Sequence, residues 1–193
     1  LEQTLTMLDS LDEEDIFVHE ESFRHLLDTL LYPGSVTFDV PKSLRFVLRD
    51  YQIRGFQWMK TLASYGFGGI LADDMGLGKT LQSIAYIQSE RSNIQKNKRP
   101  VLIVCPSSVT YNWLSELIAF ASNLDPVVID GKKAERMELP TSAMNQDVII
   151  TSYPILRRDY QWFEKQSFHT VFFDEAQAFK NPTTQTFQAV KKI

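Results

Sequence analysis

The sequence predicts an open α/β domain built on a mainly parallel sheet, and three observations carry that prediction. Short, wholly apolar runs recur at residues 69–72, 101–105, 127–129, 148–151 and 171–173. They lack the alternation of a half-exposed strand, so they read as strands covered on both faces. Helical stretches separate them, and strand–helix–strand repetition requires a parallel sheet with helices laid over it. A chain of 193 residues, 44% of them hydrophobic, can fill one core and leave a small accessory segment.

Residues 1–43 read as an acidic, mostly helical lead-in. Residues 1–15 alternate weakly between apolar and acidic types, and Phe23, Leu26, Leu27, Leu30 and Leu31 then form a helical stripe closed by Pro33-Gly34. Residues 36–40 alternate like a short strand. A helix follows over 50–65, where Tyr51, Gly55, Trp58, Met59 and Leu62 share a face. Between the apolar runs lie helix candidates at 79–91, 110–121, 132–137 and 155–165, with another after Pro182. The basic, polar stretch 95–99 reads as an exposed loop. Trp113 shares a helical face with Leu117 and Phe120, which makes it core rather than a base-stacking platform. The first residue, Leu1, and the unpunctuated helical run ending at Ile193 read as cut points in a longer chain.

Cys105 is the single cysteine, and His19, His25 and His169 are scattered without metal-ligand spacing, so disulfide and zinc scaffolds are excluded. No signal pattern or long apolar run argues for export or a membrane; a cytoplasmic protein is expected, nucleoid-associated if bacterial. Net charge is −4, but residues 1–21 hold eight carboxylates and no Lys or Arg. Without them, 20 basic residues face 24 − 8 = 16 acidic ones, and a remainder of +4 is compatible with phosphate contacts.

The chemistry begins at Asp73-Asp74-Met75-Gly76-Leu77-Gly78-Lys79-Thr80, between the apolar run 69–72 and a predicted helix. A phosphate loop needs that strand–loop–helix context. Gly76 and Gly78 let the backbone curl so that N–H groups point inward, and the helix N-terminus adds positive dipole character. Lys79 is placed to bridge the β- and γ-phosphates of ATP, and Thr80 to offer its hydroxyl to Mg²⁺. The run 171–173 ends in Asp174-Glu175-Ala176-Gln177. Two adjacent carboxylates at the C-terminal end of a buried strand need a cation, and ligands of open α/β sheets sit at that edge. Asp174 is placed to hold Mg²⁺ through its water shell and Glu175 to orient and deprotonate an attacking water.

These segments together resemble the Swi/Snf ATPases of helicase superfamily two. The loop DDMGLGKT differs from the family's DEMGLGKT only at Asp74. Leu48-Arg49-Asp50-Tyr51-Gln52 and the following Gly55 and Trp58 are similar to the family's LRxYQxxGxxW segment. That similarity implies that Gln52 contacts the adenine edge, with Arg49 and Tyr51 shaping the pocket. Residues 103–113 resemble motif Ia and residues 150–153 motif Ib, which implies DNA-facing loops at Ser107, Ser108, Thr151 and Ser152. Both loops follow apolar strands and emerge at one sheet edge, where hydroxyls and N–H groups can meet phosphates without reading bases. DEAQ stands where most of the family has DEAH, so Gln177 keeps a hydrogen-bonding group but loses a titratable one.

The resemblance runs from about Leu44 to the C-terminus. It implies that residues 44–193 are the first RecA-like, three-layer lobe of an ATP-driven motor on double-stranded DNA, with the nucleotide set at Arg49, Gln52, Met75, Gly76, Leu77, Gly78, Lys79, Thr80 and Gln177. The family's remaining motifs, including an arginine-bearing one, would lie beyond Ile193, so the isolated lobe is expected to bind ATP weakly and hydrolyse it negligibly. Two other readings share parts of this sequence. A strand-separating helicase would carry the same loop and carboxylates, and a non-catalytic, nucleotide-sensing module would use the acidic residues 1–21 to recruit a protein partner.

Overall fold

A computed structural model describes residues 37–74, 76–131 and 142–193. The predicted N-terminal helix, the acidic segment and the helix at 132–137 lie outside the described residues, as does Met75. Among those described, helix α1 spans Asp50–Ser64 and α2 Lys79–Asn97. Strand β1 (Val101–Cys105) leads through a 3-10 turn at Ser107–Val109 into α3 (Thr110–Phe120). Then come β2 (Pro126–Ile129), β3 (Val148–Ser152), α4 (Tyr153–Arg158), α5 (Tyr160–Phe163), β4 (Val171–Phe173), a second 3-10 turn (Ala176–Phe179) and α6 (Gln185–Val190).

The four strands form one sheet in the order β2-β3-β1-β4, with every pairing parallel. The central strands β1 and β3 are buried along their whole length, the burial that non-alternating apolar strands require. Side chains of period two divide between two cores. Val101, Ile103, Cys105, Val148 and Ile150 face α1, α2 and α3 through Phe56, Ile84, Ile87, Trp113 and Leu117. Leu102, Val104 and Ile149 face the other way, towards Tyr153, Leu156 and Phe163. Two faces, each with its own helices, make the three-layer arrangement that the sequence predicts. No helix among the described residues is long and apolar enough to cross a membrane.

Four local expectations change. Residues 69–72 form no strand: the segment pairs with no described strand, and Ile70 is 84% exposed. Apolar composition marks a segment that can be covered, whereas a strand also needs a partner to hydrogen-bond, and here there is none. Residues 37–40 likewise form no ladder with a described strand. Helix α2 runs on through Asn97 into the stretch expected to be loop, because the buried Ile94 anchors its last turn. Lys98 then closes the helix in the left-handed conformation, its N–H donating to the Ile94 carbonyl. The predicted helix 155–165 is two short ones, broken at Asp159 (φ −113°, ψ 22°), which caps both.

Candidate active site

The phosphate loop is held by its neighbours before any ligand is considered. Gly76 (φ 85°) and Gly78 (φ 70°) both take left-handed backbone, which curls the loop ahead of α2. Gly78 is the N-cap of α2 and accepts no side-chain cap, so the first N–H groups of the helix are free to meet an anion. Gly76 opens onto free space. Lys79 Nζ donates to the Asp73 and Asp74 carbonyls at 2.6 and 3.1 Å, folding the ammonium back over the loop. Thr80 follows in the first turn of α2, half-buried. Left-handed backbone at two glycines, a helix N-terminus and an ammonium folded over them suit an anionic, phosphate-bearing ligand.

Helix α1 fastens the loop from behind. Gln52 is 6% exposed; its Oε1 accepts the Arg49 N–H (2.9 Å) and its Nε2 donates to the Leu77 carbonyl (3.2 Å). Tyr51 donates its hydroxyl to the same carbonyl at 3.1 Å. Both polar ends of Gln52, expected at an adenine edge, are therefore engaged with backbone here, while Arg49 is exposed. Gln82 adds a tie that the sequence analysis did not single out, donating to Asp73 Oδ2 at 2.9 Å. Its room comes from Gly55, where any Cβ would overlap the Gln82 side chain.

The direction of α2 decides where Lys79 lies relative to the carboxylates. Tyr86 meets β4 at its start, its hydroxyl 3.2 Å from Thr170 Oγ1 and its ring edge-on to Phe172, while Glu90 meets His169 at 3.0 Å. Helix α2 thus runs antiparallel to β4. From Tyr86 back to Lys79 is about 10 Å of helix, and from Thr170 on to Asp174 about 13 Å of strand, so both reach the C-terminal edge of the sheet. Alternation adds the face. Phe172 packs towards α2, so Asp174 does too, its N–H donating to the Val104 carbonyl at 2.8 Å. Glu175 breaks the alternation by taking left-handed backbone (φ 52°) and accepts a hydrogen bond from Gln177 Nε2.

Asp174 is itself gripped. Trp113 Nε1 donates to Asp174 Oδ2 at 2.9 Å, and the Tyr153 hydroxyl donates to the Asp174 carbonyl at 2.7 Å. Trp113 is core, as its helical face predicts, but the spacing carries no sign of this second role. Burial, reinforced by the Asp174 charge, pushes the Cys105 thiol up to about 12 and also raises Tyr153 and Glu116.

The expected DNA-facing residues divide. Ser107 and Ser108 are exposed on the turn after β1. Thr151 and Ser152 are corrected to the last two residues of β3, with buried side chains; Thr151 Oγ1 donates to the Ile129 carbonyl at 3.2 Å. Ser152, at the C-terminal end of the strand, is 5% exposed. No group of three or more His, Cys, Asp or Glu side chains among the described residues could hold a metal alone, so a cation here would depend on phosphate oxygens as well.

Comparison with known proteins supplies the family. The model of the SNF2-related domain matches residues 51–193. An uncharacterized ATP-dependent helicase of Mycoplasma genitalium is 42% identical over 147 residues, covering 76% of this chain and 14% of that protein. The putative ATP-dependent helicase/translocase YwqA of Bacillus subtilis is 37% identical over 191 residues, 87% of this chain and 20% of that one. The chain therefore spans a fifth or less of the length of these relatives. Among solved structures, the Sulfolobus solfataricus SWI2/SNF2 ATPase core in complex with dsDNA is 41% identical with a TM-score of 0.67, covering 76% of this chain and 30% of that one. A parallel sheet, a phosphate loop and carboxylates at its C-terminal edge, and a domain match over residues 51–193 lead to one assignment: the chain belongs to the SNF2-related family and has the RecA-like fold of a Swi/Snf ATPase lobe.

Proposed function

We propose that this chain is the nucleotide-binding lobe of an ATP-driven motor that moves along double-stranded DNA. The observation that carries the reading is the antiparallel course of α2 along β4, which brings Lys79 and Asp174 to one edge and one face of the sheet. A solved relative in complex with dsDNA supports the choice of DNA, and the similarity to the putative helicase/translocase YwqA supports translocation.

In this reading the N–H groups of the loop and of the first α2 turn bind the phosphates, and Lys79 swings from the Asp73 and Asp74 carbonyls to the β- and γ-phosphates. Magnesium, held by Thr80 and Asp174, would neutralise charge developing on the phosphate oxygens. Glu175 orients the attacking water and accepts its proton. Gln177, hydrogen-bonded to Glu175, holds that carboxylate towards the edge. Ser107 and Ser108 meet DNA phosphates from the exposed turn beside it.

An arginine finger typically accounts for about 10³ to 10⁵ in rate. Arg157 and Arg158 end α4, exposed and on the opposite side of the sheet from α2, so neither is placed to serve. In this reading the 193-residue chain binds ATP weakly and hydrolyses it negligibly. Calorimetry with ATP tests this: wild type binds and Lys79→Ala does not, and equal binding by both would refute the phosphate loop. DNA-stimulated turnover by this chain that Lys79→Ala abolishes would refute its inactivity. The relatives named as helicases favour strand separation as a second reading, and unwinding of a forked duplex by the full-length protein would select it.

A further inference from the structure

We propose that Trp113 and Tyr153 are positioning residues for Asp174, Trp113 fixing the orientation of its carboxylate and Tyr153 the position of its main chain. The proposal rests on the reading of Asp174 as the magnesium-holding carboxylate.

An aspartate at the end of so short a strand would otherwise sit loosely. Strand β4 is three residues long and, among the described residues, lies at the edge of the sheet, paired only with β1. Its ladder ends with the Asp174 N–H on the Val104 carbonyl, and the chain turns sharply at Glu175 in left-handed backbone. Nothing in β4 fixes χ1 or χ2 of Asp174. The hold comes from two other elements. Trp113, on α3, reaches Oδ2 with its indole N–H, and Tyr153, the first residue of α4, reaches the Asp174 carbonyl. One lies on each face of the sheet, so Asp174 is clamped from both layers.

The donor types suit the task. An indole N–H can only donate, so it holds a carboxylate and never competes with it for a cation. Its ring is 4% exposed and packed in the α2–α3 core, so the donor cannot follow the carboxylate if it swings away. Among the described residues Oδ2 is taken by the indole while Oδ1 has no partner, leaving one oxygen to face a cation or its water shell. Partners of this kind orient a ligating carboxylate, and their loss typically costs about 10- to 100-fold in metal affinity.

The test uses the 193-residue chain and a non-hydrolysable ATP analogue. Its affinity is measured by calorimetry with Mg²⁺ and with EDTA, and the ratio of the two is the readout, because a purely structural defect would lower both alike. Asp174→Asn should remove the Mg²⁺ advantage. Trp113→Phe, which keeps an aromatic ring and loses the donor, should reduce the advantage about 10-fold while leaving the EDTA affinity unchanged; Trp113→His, which restores a ring N–H, should recover part of it. Tyr153→Phe should act in the same direction. A Trp113→Phe ratio equal to wild type, beside a lost advantage in Asp174→Asn, overturns the positioning role and leaves the magnesium reading standing. An advantage that survives Asp174→Asn overturns the magnesium reading instead. Independently of nucleotide and of whether Trp113→Phe folds, the ¹⁵N indole resonance of Trp113 should move in Asp174→Asn and stay in place in Glu175→Gln. An indole resonance indifferent to Asp174 overturns the proposal.

Discussion

Glu90→Gln is a substitution of nearly constant volume that should cost this domain much of its stability at neutral pH and little in acid. Glu90 lies on α2 with 9% of its side chain exposed, and ties three elements together: it pairs with Lys60 of α1, accepts from Asn93 Nδ2 at 2.8 Å and meets His169 Nε2, just ahead of β4, at 3.0 Å. The hydrogen bond to His169 does most to hold its carboxyl down, from 4.5 to about 2, with Asn93 and Lys60 assisting against the opposing effect of burial. A fall of that size corresponds to about 3 kcal/mol of folding free energy, at about 1.4 kcal/mol per pH unit. Because the folded-state value is depressed, the contribution is complete above pH 4.5 and disappears as pH falls towards 2. At about 2–4 °C per kcal/mol for a domain of this size, Glu90→Gln should melt roughly 6–12 °C below wild type at pH 7. Urea or thermal unfolding followed by circular dichroism at pH 7, 5, 4 and 3 measures the gap. A gap that narrows through the acid range supports the network; equal stability at pH 7, or a gap that does not change with pH, refutes it.

Other consequences concern the loop. Gln52→Ala removes the donor on the Leu77 carbonyl and the acceptor of the Arg49 N–H, which should destabilise the domain by about 1–3 kcal/mol and weaken nucleotide binding, read by urea unfolding and calorimetry on one preparation. Gly78→Ala should lose nucleotide binding outright, since the position has φ 70° and a Cβ there would overlap Gln52 Nε2; wild-type affinity in this variant would contradict the loop geometry. Phe163→Ala, on the far face of the sheet at 1% exposure, should cost about 3–5 kcal/mol in stability without removing the advantage Mg²⁺ gives to nucleotide binding.

The layered fold was legible because burial on both faces leaves a plain trace in sequence. Residues 101–105 and 171–173 are strands to the residue, and α1 and α3 end one residue short of their expected bounds. What was not legible depended on partners distant in sequence. The apolar composition of 69–72 cannot reveal that no strand pairs with it. Ile94, twelve residues beyond Gln82 on the same helix, decides where α2 stops through a buried contact rather than through a breaker. At the site, Gly76, Gly78 and Lys79 were readable because backbone conformation and phosphate chemistry restrict those positions to few residue types. The Trp113 and Tyr153 contacts to Asp174 span 61 and 21 residues, and an indole buried for its apolar area looks the same in sequence whether or not its N–H has a partner. Thr151 and Ser152 show the converse: hydroxyls at a strand end suggest exposure, but both side chains are buried and that of Thr151 is spent on the Ile129 carbonyl.

The most direct measurement is a crystal structure of this chain with magnesium and a non-hydrolysable ATP analogue. The account predicts Lys79 Nζ within hydrogen-bonding distance of the β- and γ-phosphates, with Thr80 and Asp174 gathered about the magnesium on those same oxygens. A nucleotide bound elsewhere, or Asp174 facing away from the phosphates across the sheet, would contradict it.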